Sequence, residues 1–138
     1  MRVVVDTNVL VSSFFGGAPR EIIDCWKRGD ITLCVSRDLV DEYVDVLDRL
    51  GIEAPLIGEL LDLFASGYHL VFTASAPAVR VVKNDPDDDM LFGCAVELGA
   101  KVIVTGDKAV REVGHYMGIE VQTPAEFLAR MKELPTAR

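Results

Sequence analysis

Short apolar stretches alternating with helical segments predict an α/β fold, a parallel sheet covered on both faces by helices. Two observations carry this expectation. Val3 to Val5 and Val102 to Val104 are uninterrupted runs of β-branched residues, as strands buried on both faces require. Between such runs the apolar residues recur at helical spacing, as in Leu39, Val40, Tyr43, Val44 and Leu47.

Residues 2–5 read as the first strand, ending at Asp6. A helical stretch follows from Asn8. Gly16-Gly17-Ala18-Pro19 interrupts it, and it resumes through Ile22, Ile23 and Trp26 as far as Gly29. Ile31 to Val35 is the second strand. Ser36 then serves as N-cap of a helix that stops at Gly51, and Pro55 opens another that runs through Leu56, Leu60, Leu61 and Phe64 to Gly67.

Residues 69–73 read as a strand and 74–84 as an irregular connection. Asn84-Asp85-Pro86 is a helix-start signal, with Asp85 as N-cap and Pro86 at the first helical position, and Gly99 closes that helix. Val102 to Thr105 is the next strand and Gly106-Asp107 ends it. A short helix near 108–114, a strand at Glu120-Val121 and a last helix complete the order, the last introduced by the capping box Thr123-Pro124-Ala125-Glu126.

A chain of 138 residues can bury about two thirds of its unfolded surface in one core, so a single domain over 1–134 with a loose tail at 135–138 is expected. Asp6 cuts the N-terminal apolar run short of a signal peptide, and no stretch is apolar enough to span a membrane. Cys25, Cys34 and Cys94 are far apart and form no C-x-x-C pair, which fits buried thiols better than a zinc or redox site. A cytoplasmic protein without membrane contact is the expectation. No phosphate-binding glycine loop or nucleophile elbow occurs, and His69 and His115 read as structural. An aspartate-nucleophile phosphotransferase would want a second acid two residues after Asp6, where this chain has Asn8.

A net charge of −8 argues against binding nucleic acid through a basic patch. It does not argue against binding through metal, because two divalent ions held by carboxylates would halve that charge and turn the site electropositive toward phosphate. Asp6 and Asp107 each follow a strand, and in open parallel sheets ligands gather beyond the carboxyl ends of strands. Each could equally cap the helix after it. Asp85, Asp87, Asp88 and Asp89 crowd one helix start, where a helix dipole offsets only ~0.3–1 kcal/mol of their repulsion; a bound cation would offset more, and the alternative is a solvated acidic turn. Glu42 borders the apolar stripe of its helix, whereas Asp38, Asp41, Asp45 and Asp48 read as solvated. Such clustered hard oxygens suit Mg2+ or Mn2+, and phosphodiester hydrolysis is the natural chemistry.

Four segments in order resemble the PIN domains, and more narrowly the small prokaryotic VapC-like toxins: Val3-Val4-Val5-Asp6-Thr7-Asn8-Val9-Leu10, Ser36 to Leu47 with Glu42 inside, Asp85-Pro86-Asp87-Asp88-Asp89, and Val102-Ile103-Val104-Thr105-Gly106-Asp107. The resemblance implies a three-layer α/β/α sandwich around a central parallel sheet. It implies a Mg2+- or Mn2+-dependent endoribonuclease whose acids are Asp6, Glu42, Asp88 and Asp107. It implies Asn8 as polar helper and Thr105 as the residue preceding the last acid. Asp88 ranks first as third acid by its distance to Gly99, ahead of Asp85 and then Asp89, where the family often has asparagine. In this reading Asp6, Asp88 and Asp107 bind one ion, and Glu42 orients the ion or the attacking water.

Lys83, Lys108 and Arg111 lie near the motifs and read as solvated surface cations rather than RNA clamps. By the same resemblance the partners are an RNA substrate, a cognate antitoxin protein and a second copy of the chain, with the helices around 39–47 and 56–64 as an isologous interface. The rivals are a PIN-fold binding module without significant turnover and a DNA-directed nuclease.

Overall fold

The computed structural model describes residues 1–82 and 85–133; Lys83, Asn84 and the segment from Leu134, with the expected tail at 135–138, lie outside the described residues. The strands are β1 (Arg2–Val5), β2 (Thr32–Ser36), β3 (Leu70–Thr73), β4 (Val102–Val104), β5 (His115–Tyr116) and β6 (Ile119–Gln122). The helices are α1 (Thr7–Ser12), α2 (Gly17–Lys27), α3 (Arg37–Arg49), α4 (Ala54–Ala65), α5 (Pro86–Leu98), α6 (Lys108–Val113) and α7 (Pro124–Glu133), with a 3-10 turn at Ser13–Phe15 between α1 and α2. One six-stranded sheet has the order β3-β2-β1-β4-β6-β5 and is parallel except for β5. Helices on both faces complete the three-layer α/β/α architecture.

The central strands bury Val3, Val4, Val5, Val102, Ile103 and Val104 completely, which is why their sequences are apolar at every position instead of alternating. α5 packs along β1, β2, β3 and β4. Its interior Gly93 is required by a close approach: a Cβ there would stand 2.5 Å from the carbonyl oxygen of Pro77, in the connection that crosses the helix. The expected caps form. Ser36 accepts from the Leu39 N–H, Asp85 from the Asp88 N–H, and Thr123 and Glu126 exchange bonds as a capping box. All three cysteines are buried and free.

Two local expectations are corrected. Residue 69 lies before β3, not within it: His69 has φ +39, and the indole N–H of the fully buried Trp26 donates to the Tyr68 and His69 carbonyls that this turn presents. The glycine-containing stretch after α6 is a hairpin. Met117 (φ +49) and Gly118 (φ +80) form its two-residue loop, the arrangement that joins antiparallel strands most tightly, and β5 pairs with β6 as His115↔Glu120 and Tyr116↔Ile119. A Met-Gly pair is a weaker turn signal than Asn-Gly, so the sequence did not announce it. Leu39, Tyr43 and Leu47 of α3 and Ile57 and Leu60 of α4 face the core, and Leu50 and Leu56 are the large apolar residues exposed near them. Among the described residues no helix is long and apolar enough to cross a membrane.

Candidate functional site

The chain leaves β1 toward β2 and β3 on one side and returns to β4 and β6 on the other, so the order reverses between β1 and β4. In open parallel sheets such a reversal is where the connections diverge and ligands gather, beyond the carboxyl ends of the strands. Asp6 stands at the end of β1, and its N–H still donates to the Val104 carbonyl at 3.0 Å, which holds it against β4. Asp107 stands past the end of β4 as N-cap of α6, accepting from the N–H groups of Ala109 at 2.8 Å and Val110 at 3.4 Å. The cap role that is the plain alternative for Asp107 is therefore real; it uses Oδ1, and Oδ2 accepts no hydrogen bond among the described residues.

Thr105 ties the two acids together. Its buried hydroxyl donates to Asp6 Oδ2 at 2.5 Å and accepts from the Asp107 N–H at 3.0 Å. Asp6 is buried, and that burial pushes its carboxyl pKa up; the Thr105 hydrogen bond opposes the rise and the Asp107 charge adds to it.

The start of α5 brings the next acid. Asp88 is pushed up to about 7, first by burial, then by a side-chain hydrogen bond with Asp85 that only protonated Asp88 can donate, then by the charges of Asp107, Asp85 and Asp6. Its Oδ2 is buried and has no hydrogen-bond partner among the described residues. Glu42, half-buried on α3, is also raised, by burial first and then by Asp87, Asp6 and Asp85. The Thr7 hydroxyl counters this from beside Glu42, and its Oγ1 is buried with no hydrogen-bond partner among the described residues. Asp6, Glu42, Asp88 and Asp107 thus lie in one electrostatic neighbourhood. They are not yet a closed cage: among the described residues no three His, Cys, Asp or Glu side chains are placed to hold a metal ion between them.

Asp89 is used differently. Its Oδ1 accepts from the N–H groups of Val81 at 2.7 Å and Val82 at 2.6 Å, pinning the connection that crosses α5. Asp89→Ala should therefore lower stability by about 1–3 kcal/mol in urea unfolding, since a charged acceptor of two amides is lost. Mn2+ affinity should stay near wild type, and a collapse of that affinity with unchanged stability would return Asp89 to the site.

Asn8 is exposed at the first turn of α1, next to Asp6. Arg111 and Lys108 are exposed on α6, with Lys108 at 4.0 Å from Glu112, as the surface reading expects. Lys83 is outside the described residues. Thr7 and Tyr43 were not singled out as site residues, although Thr7 stands between Asp6 and Asn8 and Tyr43 beside Glu42.

A family model described as PIN domain matches residues 2–109, a span that holds all four acids. The chain belongs to the PIN domain family. A PIN domain is a nuclease-type fold, its members are generally hydrolases, and they typically use divalent metal ions. β5, β6 and α7 lie beyond the matched span, although β6 joins the sheet beside β4, with the Thr105 N–H donating to the Gln122 carbonyl at 2.9 Å. No curated protein matches the chain.

Proposed function

We propose that this PIN domain is a divalent-metal-dependent endoribonuclease, acting in the cytoplasm as the VapC-like toxin component of a toxin-antitoxin pair. The observation that carries the reading is the charge field that Asp88 shares with Asp6 and Asp107, with Asp88 raised to about 7 and its Oδ2 buried without a hydrogen-bond partner among the described residues. Fixed repulsion of this kind is characteristic of functional sites, because a scaffold gains nothing from it.

The donor set fits the metal. Carboxylate oxygens are the ligands Mg2+ and Mn2+ prefer, and an orphaned buried oxygen is one that a cation would satisfy. Asp6, Asp88 and Asp107 would hold the ion after side-chain rotation brings them together, with Glu42 completing the set. When bound, the ion supplies positive charge at the scissile phosphate and makes water more acidic. Thr105 holds the Asp6 carboxylate in place, Asp107 stays anchored on the start of α6, and Glu42 orients the attacking water. Asn8, exposed on the first turn of α1, serves as the polar helper beside Asp6.

One alternative is a PIN-fold module that binds partners without turnover. The test is cleavage of mixed single-stranded RNA and matched DNA by purified protein in Mn2+ and in EDTA. RNA cut only with Mn2+ supports the ribonuclease. Cutting of DNA alone supports a DNA-directed nuclease, and equal residual cleavage in Mn2+ and EDTA promotes the binding module. An antitoxin and a homodimer belong to the same proposal; a monomeric mass at micromolar concentration removes the homodimer.

A further inference from the structure

β1 leaves its ladder with β2 after Val3↔Leu33, while on its other side pairing with β4 continues to Val5↔Val104. The peptide joining Val5 to Asp6 sends its N–H to the Val104 carbonyl. That peptide is trans, so its carbonyl points the opposite way, toward β2. There the ladder between β1 and β2 has ended, although β2 itself runs on to Ser36 beside β3. Val5 is completely buried, and an unmet acceptor at this point would cost about 1–3 kcal/mol. The Tyr43 hydroxyl donates to it.

Tyr43 is buried in α3 immediately after Glu42, and its ring lies 6.3 Å from that of Phe64. The hydroxyl is therefore a direct bond between the peptide that carries Asp6 and the helix that carries Glu42. A phenylalanine would fill the same core position, so packing does not require the oxygen. We infer that Tyr43 is a positioning residue that sets Asp6 relative to Glu42 through the Val5 carbonyl. The inference rests on these two acids belonging to the metal site proposed above.

Tyr43→Phe tests it, with Mn2+ affinity read from the free-ion paramagnetic resonance signal and RNA cleavage kinetics measured alongside. Displacing supporting contacts of metal ligands weakens affinity about 10- to 100-fold, and the lower end is expected here because Tyr43 acts through the backbone. kcat should fall while KM for RNA stays near wild type. Phe64→Leu is the control, loosening the same packing while keeping the hydroxyl. It should lower the melting temperature and preserve Mn2+ affinity.

Equal Mn2+ affinity in Tyr43→Phe and wild type overturns the inference, as does an equal loss in Phe64→Leu, which would assign the effect to packing. A wild-type protein that binds Mn2+ without cutting RNA overturns the proposed activity alone, leaving the affinity comparison to decide on Tyr43. A wild type that binds no Mn2+ overturns both.

Discussion

Asp6→Asn is expected to abolish Mn2+-dependent RNA cleavage and at the same time to raise the melting temperature. The side chain is buried and its carboxyl is already pushed up by that burial, so the ionised form is held at a cost. Asparagine has the same shape, and its oxygen can still accept from the Thr105 hydroxyl that now bonds Asp6 Oδ2. Only the charge disappears. Loss of a charge that helps hold a catalytic ion removes several kcal/mol of transition-state stabilisation, and at 1.36 kcal/mol per decade this is a rate loss of about 100-fold or more. Relief of the buried charge should raise the melting temperature by about 2–4 °C at neutral pH, the usual opposition of stability and activity at such sites. Calorimetry and a cleavage assay on one preparation check both. Full activity in the variant would remove Asp6 from the mechanism, and a lower melting temperature would show that its charge supports the fold.

Metal-free protein should lose stability as pH rises from about 4 to about 7, and Asp88→Asn should flatten that profile. The folded-state pKa of Asp88 is raised from 3.8 to about 7. In this window the unfolded chain has released the proton while the folded one retains it, so folding binds a proton and stability falls as pH increases. The contribution is fully present below the unfolded value and gone above the folded one. Asp6 and Glu42 are raised as well and act in the same direction. Glu126 opposes them weakly: its pKa is lowered by the Thr123 backbone and side-chain bonds, and its contribution is lost as pH falls through its folded value. Melting temperatures in EDTA at pH 5 and 7.5 should therefore be higher at pH 5. Added Mn2+ should raise the value more at pH 7.5, where the carboxylates are ionised and the ion competes with fewer protons. A profile that rises toward pH 7.5, with Asp88→Asn behaving as wild type, would contradict the shared field inferred for these acids.

Much of this was legible in the chain itself. Uninterrupted valines mark the central strands because a strand covered on both faces has no polar side, and Ser36, Asp85-Pro86 and Thr123 to Glu126 mark helix starts because orphan N–H groups need acceptors within a few residues. The alternation of elements announces a parallel sheet, and with it the edge where Asp6 and Asp107 fall. These are local or periodic constraints, so local sequence states them.

What sequence could not state depends on which neighbours arrive from far along the chain. Asp88 and Asp89 are adjacent and chemically identical, yet Asp88 feels Asp107 and Asp6 while Asp89 is committed to the Val81 and Val82 amides, because successive helical residues point in different directions. Tyr43 reads as one more member of an apolar stripe until the ladder of β1 with β2 is found to end at Val3↔Leu33, with the Val5 carbonyl accepting from its hydroxyl. The sequence by itself determined the strands, the helices and the set of acids, through short-range periodicity and capping. The tertiary structure alone decided which acids share a field and which hydroxyls hold them, because hydrogen bonds and charge interactions act over a few ångströms of space regardless of separation along the chain.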